Sequence, residues 1–330
     1  MQHRKFGNTE LMVSEIGFGA WAIGGNAKVG GTPIGWGEVD DDVSKKAIQT
    51  ALDAGINFFD TADFYGLGHS EKILGEVLNK NKAIMIATKV GHRDIDDKIV
   101  MDYSRQHIID ACEESLKRLK REVIDYYQLH SARIQHLQNG ECIDAMETLK
   151  TQGKIRYWGL SLNTFYPETE AVYLMEKNSG DGFQLVFNLI NQKAIDVIKD
   201  ASWKGYGIIV RMPLQFGLLT GKFSADTKFR NDDHRSFRLT PAIIERTLKV
   251  LEEKVWPIAT KEQLTKTQLA LSFILSFKEI STIIPGIRTP DHVVQNTAGL
   301  KSLKPENIEV LQSLAQTDWK DVMALMEKQG

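Results

Sequence analysis

Residues 57–66 read NFFDTADFYG and contain the first clear sign of the chain's architecture. A short apolar run, Phe58 and Phe59, stops abruptly at Asp60, and a tyrosine, Tyr65, follows five positions later. A buried strand that ends in a carboxylate often delivers that carboxylate to a functional site. A carboxylate in this place can also simply cap the next turn. The meaning of the stretch therefore depends on whether similar strand ends recur along the chain.

Composition is that of a large globular protein. The chain has 330 residues, of which 42% are hydrophobic and 25% charged, so it can bury a large core beneath a polar surface. The formal net charge of -2 gives no indication of a nucleic-acid partner. Cys112 and Cys142 lie in helix-like segments, which suits a reducing compartment. The N-terminus lacks the apolar core of a signal peptide, and no apolar run approaches the roughly 20 residues that span a bilayer. We therefore expect a cytoplasmic protein that does not enter a membrane.

Strand-like and helix-like segments alternate along the chain. The predicted strands are SEIGFGA (14–20), INFF (56–59), AIMIATK (83–89), IDYYQLH (124–130), IRYWGLSL (155–162), GFQLVF (182–187), YGIIVRMP (206–213) and STIIPG (281–286). Eight short strands separated by helices predict a parallel sheet with right-handed crossovers. Eight such repeats in this length are typical of a closed (β/α)₈ TIM barrel, so we expect residues 1–330 to form one barrel domain.

An open, doubly wound sheet is the alternative architecture. It normally carries a glycine-rich phosphate fingerprint directly after the first strand. Here that region begins as Gly17-x-Gly19, but Ala22 replaces the third glycine and no helix follows at once. The later stretch GLLTGKF (217–223) resembles a phosphate loop, but a phenylalanine follows its lysine. The sequence therefore favours the barrel.

Polar residues end three successive predicted strands. Asp60 follows the second strand, Lys89 ends the third and His130 ends the fourth, while Tyr65 lies on the loop after Asp60. Each residue taken singly has an ordinary structural explanation. Active sites of (β/α)₈ barrels lie at the C-terminal ends of the strands, so the four residues together predict a site there.

The chemistry of these four residue types suits the reduction of a carbonyl. A phenol with its ordinary pKa of ~10 is a weak acid at neutral pH, and a nearby ammonium lowers that pKa. We therefore interpret Tyr65 as a general acid, Lys89 and Asp60 as the groups that tune it, and His130 as a neutral donor to a developing alkoxide. No protein side chain donates hydride, so a nicotinamide cofactor is implied.

Several stretches resemble the aldo-keto reductases, nearly from end to end. They are AGINFFDTADFYGLGHSEKILGEVL (54–78), ATKVG (87–91), IDYYQLH (124–130), GKIRYWGLSLNTF (153–165), GLLTGKF (217–223) and IIPGIRTPDHVVQN (283–296). The resemblance implies a (β/α)₈ barrel that uses NADPH, or less often NADH, without a metal. It implies that KFGNTELMV (5–13) forms a β-hairpin plugging the barrel bottom. The family's catalytic tetrad falls on Asp60, Tyr65, Lys89 and His130.

The same resemblance implies a nicotinamide site after strands five to seven. Ser161 and Gln184 match residues that hold the carboxamide, whereas Leu162 replaces the usual asparagine, so Asn163 is the candidate for that role. Arg211 stands where many members stack an aromatic ring on the nicotinamide. The segment that would follow the pyrophosphate contributes Pro213, Leu214, Gly217 and Leu219.

The adenine end is expected around the last strand. Gly286 allows a close approach, Arg288 can pair with a ribose 2′-phosphate, and Gln295 and Asn296 match adenine contacts. We therefore expect NADPH in preference to NADH. The basic stretch 223–240, which is long for a loop, is expected to fold over the pyrophosphate.

Loop residues would form the substrate pocket. Trp21 follows the first strand, where the family often has an aromatic residue, and Trp36, Phe64 and His92 are further candidates. The expected activity is reduction of a small-molecule aldehyde or ketone. An NAD(P)-dependent sugar dehydrogenase working oxidatively, or a nucleotide-binding regulatory subunit that partners a membrane channel, remain as alternatives. The residues do not identify the carbonyl substrate, the preferred direction or the oligomeric state.

Overall fold

Eight parallel strands form the central sheet of this computed structural model, which describes residues 1–231 and 233–329. The strands are β1 (His3–Lys5), β2 (Met12–Ser14), β3 (Phe18–Gly19), β4 (Lys28–Val29), β5 (Thr32–Pro33), β6 (Phe58–Asp60), β7 (Met85–Val90), β8 (His92–Ile95), β9 (Lys98–Met101), β10 (Ile124–His130), β11 (Ile155–Ser161), β12 (Gly182–Val186), β13 (Gly207–Arg211) and β14 (Thr282–Ile284). The α-helices are α1 (Asp41–Asp53), α2 (His69–Leu78), α3 (Arg105–Leu119), α4 (Ile134–Asn139), α5 (Glu141–Thr151), α6 (Glu168–Lys177), α7 (Ile195–Trp203), α8 (Arg235–Arg238), α9 (Pro241–Val250), α10 (Trp256–Glu262), α11 (Lys266–Leu275), α12 (Pro290–Thr297), α13 (Pro305–Gln316) and α14 (Trp319–Gln329).

The central sheet closes on itself. Around it the strands follow the order β3, β6, β7, β10, β11, β12, β13 and β14. Between the last strand and the first, the Gly19 amide donates to the Pro285 carbonyl at 3.0 Å, and the Ile283 amide donates to the Glu15 carbonyl at 3.0 Å. Helices connect the successive strands, so the chain is the expected (β/α)₈ barrel, and each predicted strand overlaps an observed one.

Alternation along the strands decides which side chains face the barrel interior. Phe58 packs in the inner apolar cluster, whereas Phe59 packs between the strands and the helices. Asp60 therefore shares the inner face with Phe58. In β7, Ala87 belongs to the same inner cluster, and Lys89 lies two residues beyond it. The interior thus changes from apolar to polar toward the C-terminal ends of the strands.

The N-terminal hairpin closes the other end of the barrel. Strands β1 and β2 pair in antiparallel register, and Phe6 between them is fully buried. The Phe6 ring lies 4.9 Å from the Tyr126 ring and 6.5 Å from the Phe58 ring, between centroids. A Cβ atom added to Gly182 or Gly207 would come within 2.6 or 2.5 Å of that ring. Glycine at these two positions therefore makes room for the plug, as the sequence resemblance implied.

Helix α1 illustrates how the outer layer forms. The Asp40 carboxylate accepts the amides of Asp42 and Val43 at 2.8 and 3.1 Å, which satisfies free donors at the helix start. Ala47 and Ile48 are fully buried on the side that faces the barrel. Local capping and one apolar face thus fix both the start and the orientation of the helix.

Some elements differ from the predicted pattern. The antiparallel hairpins β4–β5 and β8–β9 lie in segments without a predicted strand, and α13 and α14 lie beyond residues 283–296, the last stretch for which a role was predicted. Between α9 and α10 the chain forms a π-helical turn at Leu251–Val255. Pro257, two residues after this turn, has no amide to donate to the preceding turn, which accounts for the break. Within the described residues, no helix combines the length and apolar character needed to cross a membrane.

Candidate active site

A cavity of about 680 Å³ opens at the C-terminal ends of the barrel strands. All four residues of the expected tetrad lie there: Asp60, Tyr65 and His130 line the cavity directly, and Lys89 is buried beneath them. Across residues 1–231 and 233–329, no group of three or more His, Cys, Asp or Glu side chains is placed to hold a metal ion.

The centre of the site is a buried ion pair between neighbouring strands. Lys89 is fully buried, and its Nζ donates to Oδ1 of Asp60 at 2.6 Å and to the Thr61 carbonyl at 2.7 Å. Asp60 ends β6, and the pairing of β6 with β7 brings the two residues together. A buried charge is tolerated only when its partners are this well placed, so the pair fixes the lysine in one position.

Tyr65 completes the interaction on the cavity side. Lys89 Nζ donates to Tyr65 Oη at 3.3 Å, and it also lies 4.7 Å from the centre of the phenol ring. Lys89 thus contacts both the carboxylate and the phenol. Three of the four predicted catalytic side chains therefore form one connected cluster.

The pKa values of this cluster show competing effects. Burial raises the pKa of Tyr65 and outweighs the lowering by Lys89, so the phenol stays protonated at neutral pH. This net direction is opposite to the one expected from the lysine alone. Burial would by itself lower the pKa of Lys89, but the charge of Asp60 and the contact with Tyr65 leave it above its ordinary value. The structure therefore holds a neutral phenol beside a charged ammonium.

Two glutamine amides satisfy the other oxygen of the carboxylate. Asp60 Oδ2 accepts from Gln128 Nε2 at 3.0 Å and from Gln184 Nε2 at 2.7 Å. Gln184, expected at a nicotinamide carboxamide, thus uses its amide nitrogen within the site while still lining the cavity. Gln128 was not predicted as a site residue, although it lies two residues before His130 and hence on the same inner face.

His130 borders the same cavity as a neutral imidazole. Burial, together with His92 and Lys89, holds the pKa of His130 well below its ordinary range. Its Nδ1 is buried and has no hydrogen-bond partner among the described residues. A buried N–H without an acceptor is costly, which favours the tautomer protonated at Nε2. The hydroxyl of Tyr103 donates to the His130 carbonyl and helps fix the strand end.

The predicted cofactor residues divide into two groups. Those that line the cavity are Ser161, Gln184, Arg211, Pro213, Leu214, Gly217, Gly286, Gln295 and Asn296. Asn163, Leu219 and Arg288 do not line it. The Asn163 side chain accepts the amides of Phe165 and Tyr166, and Leu219 is buried in the apolar core. Arg288 lies beside the cavity and donates to the Trp36 carbonyl at 3.3 Å.

Arg211 is held rigidly at the end of β13. Its Nη2 donates to the Leu162 carbonyl at 3.2 Å and to Thr164 Oγ1 at 3.0 Å. Burial lowers the pKa of this guanidinium without neutralising it, since arginine stays charged in proteins. The cavity therefore has a fixed positive group at its inner end.

The segment after β13 has an unusual backbone. The backbone φ angles are 53° at Met212, 43° at Gln215 and 56° at Phe216. In this left-handed region each residue other than glycine costs ~1–3 kcal/mol of conformational energy. Gln215 is held in place by Asn188, whose Nδ2 donates to Gln215 Oε1 at 2.8 Å, and Gln215 Nε2 donates to the Met326 sulfur at 3.3 Å. All three strained residues line the cavity. Strain of this kind, fixed by buried contacts, is typical of a ligand-binding loop.

Aromatic side chains form the outer wall. The predicted substrate residues Trp21, Trp36, Phe64 and His92 all line the cavity. The Trp21 ring stacks on Tyr65 at 5.9 Å, and the His92 ring lies 4.4 Å from His130, between centroids. The outer wall therefore continues directly to Tyr65 and His130.

Residues 233–240, here called the lid segment, lie across the cavity. Within this segment, His234, Arg235, Phe237, Arg238 and Leu239 line the cavity. The Arg235 guanidinium lies 5.1 Å from the Trp36 ring, which belongs to the connection between β3 and α1. Within the stretch expected to cover the cofactor, Phe223 and the lid segment therefore border the cavity, whereas residues 224–231 do not line it. His234 was not predicted, because a single histidine in an irregular loop gives no periodic signal.

Comparisons with known proteins agree with this architecture. A sequence model of the Aldo/keto reductase family matches residues 15–316. An uncharacterized oxidoreductase from Bacillus subtilis (strain 168) is 28% identical over 325 residues, which cover 96% of this chain and 98% of that protein. A probable voltage-gated potassium channel subunit beta from Oryza sativa subsp. japonica is 27% identical over 336 residues, with 96% and 97% coverage. Among solved structures, a glycerol dehydrogenase from Gluconobacter oxydans matches with a TM-score of 0.78 and 29% identity, covering 96% of this chain and 95% of that one.

Proposed function

Since the chain belongs to the aldo/keto reductase family of oxidoreductases, we propose that it reduces small aldehydes or ketones to alcohols with NADPH. The observation that carries this proposal is the position of Lys89, which donates to both Asp60 and Tyr65 at the inner end of the cavity. A structural ion pair would have no reason to include a phenol that opens onto a cavity. A general acid for carbonyl reduction requires that arrangement.

The cavity suits a dinucleotide with anionic phosphates. Arg211 lies at its inner end, and Lys222, Arg235 and Arg238 line its outer part. A buried carboxamide needs hydrogen-bonding partners, and the Ser161 and Gln184 side chains line the wall near the tetrad. Nicotinamide bound there would supply the hydride that no side chain can provide. Asn163 and Leu219, which lie outside the cavity lining, are given no contact in this proposal.

The proton comes from the chain itself. Tyr65 Oη donates its proton to the substrate oxygen as the carbonyl carbon is reduced. Lys89 stabilises the phenolate that remains, because its ammonium already contacts Oη at 3.3 Å. His130 donates from Nε2 to the same substrate oxygen and orients it, while Trp21 and the lid segment exclude water. In this scheme Asp60 acts only through Lys89.

Preference for NADPH rests on the adenine end. Arg288 directly precedes Thr289, the cap of α12, and the N-terminus of that helix favours an anion. The Arg288 guanidinium also reaches the Trp36 carbonyl, so it is held at the edge of the cavity. We propose that it pairs with the ribose 2′-phosphate, which NADH lacks.

The reverse reaction is the second candidate. The similarity to a glycerol dehydrogenase favours oxidation of a polyol or sugar, in which Tyr65 would accept the proton that it otherwise donates. A third candidate, a nucleotide-binding regulatory subunit, is favoured only by the similarity to a potassium channel subunit. The tetrad is compatible with all three candidates.

Two measurements test the proposal. Fluorescence titration with NADPH and with NADH measures cofactor binding, and we expect the NADPH dissociation constant to be the lower one. A screen of aldehydes, quinones and sugars, followed in both directions at 340 nm, then identifies the reaction. If neither NADPH nor NADH binds, the proposal is wrong. Nucleotide binding without turnover of any substrate would favour the regulatory candidate.

A further inference from the structure

His234 is the one histidine in the described part of the lid segment, and it is inserted into an aromatic box. Its side chain is only 2% exposed. The imidazole stacks on Trp21 at 4.6 Å and meets Trp36 edge-on at 4.4 Å and Phe216 at 5.2 Å, between ring centroids. Trp21 and Trp36 belong to the connection between β3 and α1, whereas Phe216 lies earlier in the same β13–α9 connection as His234. His234 therefore joins the lid segment to the β3–α1 connection, together with Arg235, which lies against Trp36.

The box accepts this imidazole only in its neutral form. Neither Nδ1 nor Nε2 of His234 has a hydrogen-bond partner among the described residues. A charged imidazolium would leave two buried donors unpaired, and such groups cost ~1–3 kcal/mol or more each. Burial accordingly lowers the pKa of His234 to about 3, against an ordinary value of 6.5.

Nearby charges act in the same direction. On the segment itself, Arg238 and Arg235 oppose a positive charge on His234, and only Asp233 favours it. Asp233 is already paired with Arg235 at 2.6 Å. From the other packed elements, the box presents Trp21, Trp36 and Phe216, which carry no charge. Arg235 and Arg238 also lie against the rings of Trp36 and Phe216, at 5.1 and 5.8 Å, and so compete for the ring faces that could stabilise a cation.

We propose that His234 is a positioning residue that holds the lid segment closed while it is neutral, and that its protonation releases the segment from the cavity. The residue acts through Trp21 and Trp36 and has no part in the chemical step. An exposed imidazole in the open state binds a proton near its ordinary pKa, whereas the closed state excludes that proton. Falling pH therefore favours the open state. Linkage gives an increase in the open population of about tenfold between about pH 7.5 and 5.5.

Amide hydrogen exchange on the nucleotide-free protein tests this directly. After correction for intrinsic exchange, the amides of residues 233–240 are expected to lose about tenfold in protection between about pH 7.5 and 5.5. His234→Phe keeps an aromatic ring in the box but cannot take up a proton, so its protection should not change with pH. His234→Gln is a second neutral variant, in case the Phe variant alters the packing. His3→Gln, which changes an exposed histidine of the N-terminal strand, should retain the wild-type dependence.

The outcomes are distinct. Unchanged protection of the wild-type segment over this pH range would overturn the proposal. So would a tenfold loss that persists in both neutral variants.

The consequence for nucleotide exchange rests on the proposed function. We expect the release rate of NADH, measured by stopped-flow fluorescence, to increase about tenfold over the same range in the wild type only. NADH is the appropriate probe because the 2′-phosphate of NADPH titrates near pH 6 itself. If neither nucleotide binds, the proposed function is wrong. The hydrogen-exchange experiment on the nucleotide-free protein would still test the role of His234, because it does not depend on the nucleotide.

Discussion

The two ends of the barrel interior are built from the same strands but contain opposite kinds of side chains. At the closed end, Phe6 packs against Phe58 and Tyr126 in a cluster of hydrophobic side chains. At the open end, two residues along one of these strands, Asp60 carries a charge that Lys89 must balance. Along this strand, only two residues separate Phe58 in the apolar cluster from Asp60 in the candidate site.

The two ends contribute differently to the stability of the fold. The closed end buries aromatic surface without polar atoms that need a partner, apart from the Tyr126 hydroxyl. The open end buries an ammonium, a carboxylate and an imidazole, each of which costs desolvation energy. Substitutions at the open end should therefore affect turnover, and substitutions at the closed end should affect unfolding.

The largest effect is expected for Tyr65→Phe. This variant should keep its fold and bind NADPH normally, but it should lose about 10²–10⁴-fold in kcat because the proton donor is missing. Tyr127→Phe is a matched control, since the Tyr127 hydroxyl is buried outside the cavity and has no partner among the described residues. Turnover of a good aldehyde by Tyr65→Phe at the parent rate, with chemistry limiting, would show that another group is the acid.

Lys89→Met should reduce kcat by a similar factor, because it removes the charge that stabilises the phenolate. Because the lysine acts through Tyr65, the double variant should be far less impaired than the product of the two single losses. Steady-state kinetics of the four proteins forms the complete cycle. Losses that multiply would mean that Lys89 contributes independently of Tyr65.

Phe6→Ala tests the closed end. Removing a fully buried phenylalanine should reduce the free energy of unfolding by about 3–5 kcal/mol, because Gly182 and Gly207 leave no side chain that can fill the space. The kcat measured well below the melting temperature should remain close to that of the parent. Urea unfolding followed by tryptophan fluorescence gives the first quantity. Trp203→Ala, at a side chain that is 86% exposed, is the control and should change stability very little. A large fall in kcat for Phe6→Ala would contradict the separation of the two ends.

Arg288→Ala is expected to change cofactor binding only, and by less than the effects described above. Loss of a charge-assisted hydrogen bond to the 2′-phosphate should weaken NADPH by about 1.5–3 kcal/mol. NADH binding serves as the internal control, because a variant that merely disturbed the Trp36 loop would weaken both nucleotides. Equal NADPH affinity in parent and variant would remove Arg288 from the proposed site.

The smallest effect concerns His92 and pH. Burial, with a contribution from Arg133, lowers the pKa of His92 in the folded protein to about 4. In the unfolded chain His92 has its ordinary pKa of 6.5, so between these two values only the unfolded chain takes up the proton. Stability is therefore lost as pH falls below about 6.5, and the share of His92 between about pH 7 and 5.5 is about 1 kcal/mol. His92→Phe should reduce the pH dependence of urea unfolding by that amount. An unchanged slope would mean that His92 is already accessible to protons in the folded state.

Much of the fold was predictable because its signals are local and repeated. Each barrel strand is a short apolar run followed by a helical pattern, and the strand ends place Asp60, Lys89 and His130 at one edge. The role of Gln128 was available from the same alternation. These features depend on period and position, which a sequence displays directly.

The remainder depends on contacts between distant segments. The hairpin β8–β9 and the insertion of His234 between Trp21 and Trp36 follow from loop packing, which has no period. The net direction of the Tyr65 pKa was also beyond the sequence. The neighbouring lysine can be read from the chain, whereas the degree of burial that outweighs it cannot.

The seam of the barrel has a consequence for the order in which the protein assembles. Gly19, near the start of the chain, pairs with the segment around Pro285, near its end, and Gly19 and Gly286 both border the cavity. Contacts between such distant segments form slowly, because a long loop must close first. The last step of ring closure is therefore also the step that completes the cavity. We expect nucleotide fluorescence to report the end of refolding rather than its beginning, and a chain still being synthesised to have no nucleotide site until its final strand has emerged.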